Sequence, residues 1–139
     1  NLHQWVEGFP PETLILRDIN NRTSFCIEDD GMVAGAFTLI VGEDPTYSSI
    51  EDGEWIDDTL PYATIHRLAA LKGHGGIART CFDWCIRRHD NLRVDTHEDN
   101  AIMRHCIEKA GFRYCGIIHV ADGSPRRAYQ RINIKTKTI

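Results

Sequence analysis

The stretch "LKGHGGIART", residues 71–80, reads as a glycine-rich turn entering a helix, an arrangement that aims backbone N–H groups at a phosphate. Two ligands fit such a turn. Gly73, Gly75 and Ala78 spell GxGxxA, the dinucleotide fingerprint, and Asp95, about twenty residues on, sits where an acid would hold a ribose hydroxyl. One register later, Gly76, Ile77 and Ala78 look like the last half of a coenzyme A pyrophosphate loop. The ten residues alone do not choose between them.

Other groups capable of chemistry are scattered. Cys81 and Cys85 lie four apart on a predicted helix and could ligate a metal, but both fall on its core-facing stripe, where a free cysteine packs as a small hydrophobe. The histidines show no H-E-x-x-H or comparable spacing, so no metal site is expected. Five cysteines without a C-x-x-C pair, and no apolar run long enough to span a bilayer, point to a reducing, cytoplasmic setting with no membrane partner.

The elements that must position these groups follow from pattern. A chain of 139 residues, 42% of them apolar, has room for one domain with one core. Its net charge of -4 and lack of a basic stripe argue against nucleic acid as a partner. A short helix is predicted over 12–19, strands over 23–28 and 32–41 around the turn "DDG", and a long loop over 42–61 that holds Tyr47 and Trp55. Loops of that length in a small domain are usually functional. A strand over 62–70 precedes the glycine turn, and a helix over 77–88 follows it. A strand over 92–95 leads to a second helix over 100–110, capped by Asp99, with Ile102, Met103, Cys106, Ile107 and Ala110 inward and Gly111 as its stop. Strands over 112–120 and 126–134 close the chain as a hairpin around "ADGSP".

This order allows one β-α-β crossover in an otherwise antiparallel sheet, an α+β arrangement. A dinucleotide domain needs repeated parallel units, so the coenzyme A reading of the turn survives better.

The segments "TIHRLAA", "GGIARTCFDWC" and "NLRVDTHEDNAIMRHCIEKAGFRYCGII", with Asn100 spaced from Gly111-Phe112, resemble the GNAT superfamily of acyl-CoA-dependent N-acyltransferases. The resemblance implies a mixed, mostly antiparallel α/β sheet with helices on both faces, in which two parallel strands splay to admit the pantetheine arm. It implies acetyl-CoA as co-substrate, with Leu68, Ala69 and Ala70 along the pantetheine edge, residues 74–78 at the pyrophosphate and Asn100 against the coenzyme arm. The acceptor would be an amine of a small molecule or peptide, in a single domain over 1–139 that lacks the family's first strand and helix, and a homodimer is compatible with it.

The chemistry requires a neutral amine, a polarised thioester carbonyl and a proton for the leaving sulfur. His66 matches a position where related acetyltransferases carry histidine or glutamate, and an unperturbed histidine titrates at about 6.5. A hydrogen-bonded histidine inside the sheet is the competing reading. Asp95 and His97 could assist a base through water, although "THEDN" also suits a helix cap. Tyr47, Trp55 and Tyr62 are expected either to wall the acceptor pocket or to pack in the core. Three departures from the family pattern stand out: Gly73 replaces an Arg or Gln, the loop is shorter, and Ile107 occupies the place of a tyrosine that protonates the thiolate. Tyr114 is the substitute donor, unless the thiolate leaves unassisted. Without that proton donor, a degenerate acyl-CoA-binding sensor module is the alternative.

Overall fold

Apolar alternation over Ser24–Asp29 (β1) and Met32–Val41 (β2) pairs the two as an antiparallel hairpin. Asp30 and Gly31 between them have φ of 53° and 76°, the double left-handed step that matches strand twist. The computed structural model describes residues 22–71, 73 and 75–133. The helix expected over 12–19 lies outside them.

The remaining elements are β3 (Ala63–Ala70), α1 (Ile77–Arg88), β4 (Asn91–Thr96), α2 (Ala101–Lys109), β5 (Arg113–His119) and β6 (Pro125–Ile132). They build one six-stranded sheet in the order β1-β2-β3-β4-β6-β5. Among the described residues only β3 and β4, joined through α1, run parallel, matching the one crossover expected from the sequence.

One face of the sheet carries the main core. Ile77, Cys81, Phe82 and Cys85 recur at helical spacing along α1 and bury against Ala63, Ile65, Leu92, Val94 and Tyr129, with Ile107 of α2 and Phe112 closing the layer. Cys81 and Cys85 are fully buried there, and their mutual hydrogen bond, then burial, pushes the Cys81 thiol far up. They are core residues, and no group of His, Cys, Asp or Glu among the described residues could hold a metal ion.

The opposite face is covered by the long loop. A 3-10 turn at Pro45–Tyr47 starts it, and Tyr47 and Trp55 pack on Cys115, Ile118 and Ala128. Glu51 exchanges two backbone hydrogen bonds with Ile117, and the Gln130 amide accepts from the backbone of Ile56. The Arg93 guanidinium lies between the rings of Trp55 and Tyr62, 3.9 and 3.8 Å from their centroids. Among the described residues both helices therefore share one face, and the loop covers the other.

Two details of α2 also differ. Asn100, not Asp99, is the N-cap, its Oδ1 accepting from the Met103 amide at 3.2 Å. Ile102 points to solvent, a correction to its expected inward place, and Met103, Cys106 and Ile107 take the inner positions.

Candidate active site

The site originates in how β3 and β4 part. They pair over only three positions, Ala63 with Leu92, Thr64 with Arg93 and Ile65 with Val94. Beyond Ile65, β3 stays with β2 (Thr38 with His66, Ala36 with Ala69) while β4 stays with β6 (Asp95 with Ala128). Arg67 has φ of 50°, and two residues of β3 stand opposite Phe37 there, so a bulge bends the strand away from its parallel neighbour. The bulge also shifts the alternation. Leu68 joins Ile65 in the core, whereas strict alternation along β3 would put it on the face of His66, and Ala69 and Ala70 are exposed.

A cavity of about 300 Å³ occupies the gap. Ile65, Leu68, Val94 and Met103 line it from the helix side, while Asp44, Thr46, His66, Asp95 and Arg126 line it from the loop side. It passes from an apolar wall to a charged one, the mixture of surfaces that small-molecule sites use.

His66 is held firmly. Its Nε2 lies 2.9 Å from Asp44 Oδ2, and both side chains are less than one-fifth exposed. A carboxylate only accepts, so Nε2 carries the hydrogen and Nδ1 keeps the lone pair. Asp44 is itself fixed from several sides. Its Oδ1 accepts from the Thr46 amide and hydroxyl at 2.9 and 2.7 Å, and its own N–H donates to the Tyr62 hydroxyl at 2.7 Å. Burial works to raise the Asp44 carboxyl, but the hydrogen bonds from His66 and Thr46 outweigh it and hold the group at about 2. Asp44 was not singled out from the sequence. Its local signal is "DPT", an acid one residue before a proline that starts a helical turn, the side chain reaching two residues on.

Asp95 does not cap α2. It faces the gap from β4 and accepts a 2.6 Å hydrogen bond from the Tyr47 hydroxyl. Burial pushes its carboxyl up, against the opposing pull of His66, Tyr47 and Arg126. His97 stays local, its Nδ1 accepting from the Asp99 amide.

Of the glycine turn, Lys72 and His74 lie outside the described residues. Gly76 caps α1 with φ of 75° and no side-chain hydrogen bond, and the first turn of α1 contains no acid. The helix ladder begins with the Thr80 amide bonding to Gly76 O, so the amides of Ile77, Ala78 and Arg79 have no acceptor within the helix. Such an end, without a competing carboxylate, suits an anion.

The other expected residues lie apart from the gap. Tyr47 and Tyr62 border a neighbouring depression of about 400 Å³ that shares Asp44 with the cavity, and Trp55 packs behind Tyr47 with 5.1 Å between ring centroids. Tyr114 is on the outermost strand, edge-on to Tyr129 and beneath the Arg127 guanidinium. It does not line the cavity. Ile107 is fully buried in the main core.

Among the described residues, the one parallel pair of the sheet thus opens around a cavity that is apolar on one side and charged on the other. No family sequence model matches the chain, and no curated protein does. Among solved structures, it is similar to a GNAT-family acetyltransferase from Streptococcus agalactiae 2603, with 35% identity, a TM-score of 0.85, and coverage of 93% of this chain and 76% of that one. The chain belongs to the GNAT family and has the fold of an acetyltransferase. Its fold is also similar to the ribosomal-protein-S18-alanine N-acetyltransferase of Escherichia coli, at 15% identity, TM-score 0.63, covering 96% of this chain and 84% of that one. A GNAT-family acetyltransferase from Elizabethkingia anophelis with acetyl-CoA bound is similar at 14% identity, TM-score 0.61, covering 89% and 84%.

Proposed function

We propose that this protein transfers an acetyl group from acetyl-CoA to the amine of a small molecule or peptide, with His66 as the base. The observation that carries the reading is the His66–Asp44 pair at the charged side of a gap between two parting strands. The gap fits a narrow arm: it is apolar along Leu68 and Val94, and the bare edge of β3 past Ile65 offers backbone groups to amides of the arm. Beyond the gap, the first-turn amides of Ile77, Ala78 and Arg79 would receive the pyrophosphate, with Asn100 at the head of α2 near the arm. Acetyl-CoA bound to a protein of similar fold supports the choice of co-substrate.

When bound, the thioester supplies an activated carbonyl. The chain's part is to hold it among backbone donors of β3, and to take a proton from the attacking amine at His66 Nδ1 while Asp44 fixes the ring. The depression beside Asp44, bordered by Tyr47 and Tyr62, is the acceptor's side of the site, and its carboxylates suit a cationic amine. Tyr114 receives no role, since it does not line the cavity. The buried Ile107 favours a second reading, a module that binds acyl-CoA and catalyses nothing.

Calorimetric titration of coenzyme A into the protein, followed by thiol release from acetyl-CoA with a panel of amines, tests both. Binding together with amine-dependent thiol release is expected. Binding without release would favour the sensor, and no binding would sink both.

A further inference from the structure

Breaking a thioester is speeded by a proton at the sulfur as well as by a base for the amine, and His66 serves only the second need. Three carboxyls line the cavity: Asp44, Asp95 and Asp122. Asp44 accepts three hydrogen bonds, from His66 and from both donors of Thr46. Asp122, exposed in the β5–β6 turn, accepts from the amide and hydroxyl of Ser124. Asp95 accepts one, from the Tyr47 hydroxyl, and stands on the arm of the gap across from His66. Resting on the acetyltransferase reading above, we propose that Asp95 delivers the proton to the departing coenzyme A sulfur, with Tyr47 holding the carboxyl in position.

The electrostatics separate the three groups in the same sense. Hydrogen bonds from Ser124 hold Asp122 down, those from His66 and Thr46 overcome burial to hold Asp44 at about 2, and burial pushes Asp95 up. Neighbouring carboxyls whose surroundings drive them apart divide into acid and base. The groups facing Asp95 are Tyr47 from the 3-10 turn, His66 from β3, Asp44 from the loop and Arg126 from β6. Burial, and then Asp95 itself, pushes the Tyr47 phenol well up, so within that pair the phenol keeps its proton and acts as donor.

In the step, the amine nitrogen bonds to the thioester carbonyl carbon and its surplus proton passes to His66 Nδ1. The C–S bond breaks, its electron pair goes to sulfur, and sulfur takes the Asp95 proton. Return of the His66 proton to Asp95, directly or through water, restores both groups. Amine and thioester enter, amide and thiol leave, and no other reactant is consumed.

Asp95→Asn keeps an acceptor for Tyr47 and removes the transferable proton. The expected result is a fall in kcat of about 100-fold, the low end of what general acids contribute. KM for both substrates should be little changed, and the high-pH limb of the kcat profile should disappear. Independently of turnover, the carboxyl carbon resonance of Asp95 in coenzyme-free protein should titrate above the ordinary 3.8, and move higher still in Tyr47→Phe. That titration decides the matter if Asp95→Asn fails to fold. An unchanged kcat in folded Asp95→Asn overturns the proposal. So does a rise in KM alone, which would make Asp95 a binding carboxylate for the amine, or a titration at or below 3.8. Coenzyme binding without thiol release by the native protein is a different result, because it removes the acetyltransferase reading itself.

Discussion

β3 and β4 are built in two halves that obey different rules. In the paired half, Ala63, Ile65, Leu92 and Val94 are almost wholly buried under α1, as expected for a parallel pair covered by its crossover helix. In the parted half, His66 and Asp95 succeed Ile65 and Val94, each still paired on its outer side, and their inner edges face the cavity. The change comes within one residue on each strand. A left-handed Arg67 lets β3 continue with β2 while leaving β4, so the sheet opens without either strand ending. The closed half supplies stability and the open half supplies polar groups, and substitutions should respect that boundary.

The largest effect belongs to the closed half. Phe82 is fully buried between the sheet and Phe112, with ring centroids 5.4 Å apart. Phe82→Ala should cost about 3–5 kcal/mol in urea unfolding, because a cavity remains where the ring was, and should leave coenzyme affinity of the folded fraction unchanged. A loss confined to coenzyme binding would contradict the division.

A smaller effect comes from the open half and depends on pH. Asp44 stands at about 2 in the folded chain against an ordinary 3.8, which corresponds to about 2 kcal/mol of stability. Since the folded value is the lower one, that contribution is present above 3.8 and is lost as pH falls through 2. Asp44→Asn should therefore be less stable than the parent at neutral pH, with the difference shrinking across that window. A difference that stays constant down to pH 2 would mean that the carboxylate gains nothing from His66 and Thr46.

These two halves were unequally legible in the amino-acid sequence. The closed half is local: the 3.6-residue recurrence of Ile77, Cys81, Phe82 and Cys85 and the apolar run of β3 identify helix and strand without knowledge of partners. His66 and the glycine turn were also recognisable, through a motif that spans adjacent residues. Asp44 was not, because its partner lies 22 positions away and only the folded loop brings them together. The Tyr47–Asp95 bond spans 48 positions and was hidden for the same reason, behind a "THEDN" that reads as a cap. The bulge left no trace either. "HRLAA" contains no glycine, and the left-handed conformation falls on an arginine, so strict alternation put Leu68 on the wrong face.

The smallest expected effect on stability tests the rim of the open half. Gly76 needs its left-handed φ of 75° to turn the chain into α1, whereas Gly75 has no positive φ, and a Cβ at either would meet nothing within 4 Å. Any cost of adding a methyl group at position 76 is therefore conformational. Gly76→Ala should lose about 1 kcal/mol, the left-handed penalty less the entropy that alanine removes from the unfolded chain. Gly75→Ala should lose nothing measurable. If the first-turn amides of α1 hold the pyrophosphate, the Gly76 variant should also bind coenzyme A more weakly than its small destabilisation explains, since a relaxed turn re-aims those N–H groups. Dephosphorylated pantetheine, which would reach only the gap, should bind both variants alike. Equal weakening for coenzyme A and pantetheine would instead locate the damage in β3, and would separate the glycine turn from the anion it is proposed to hold.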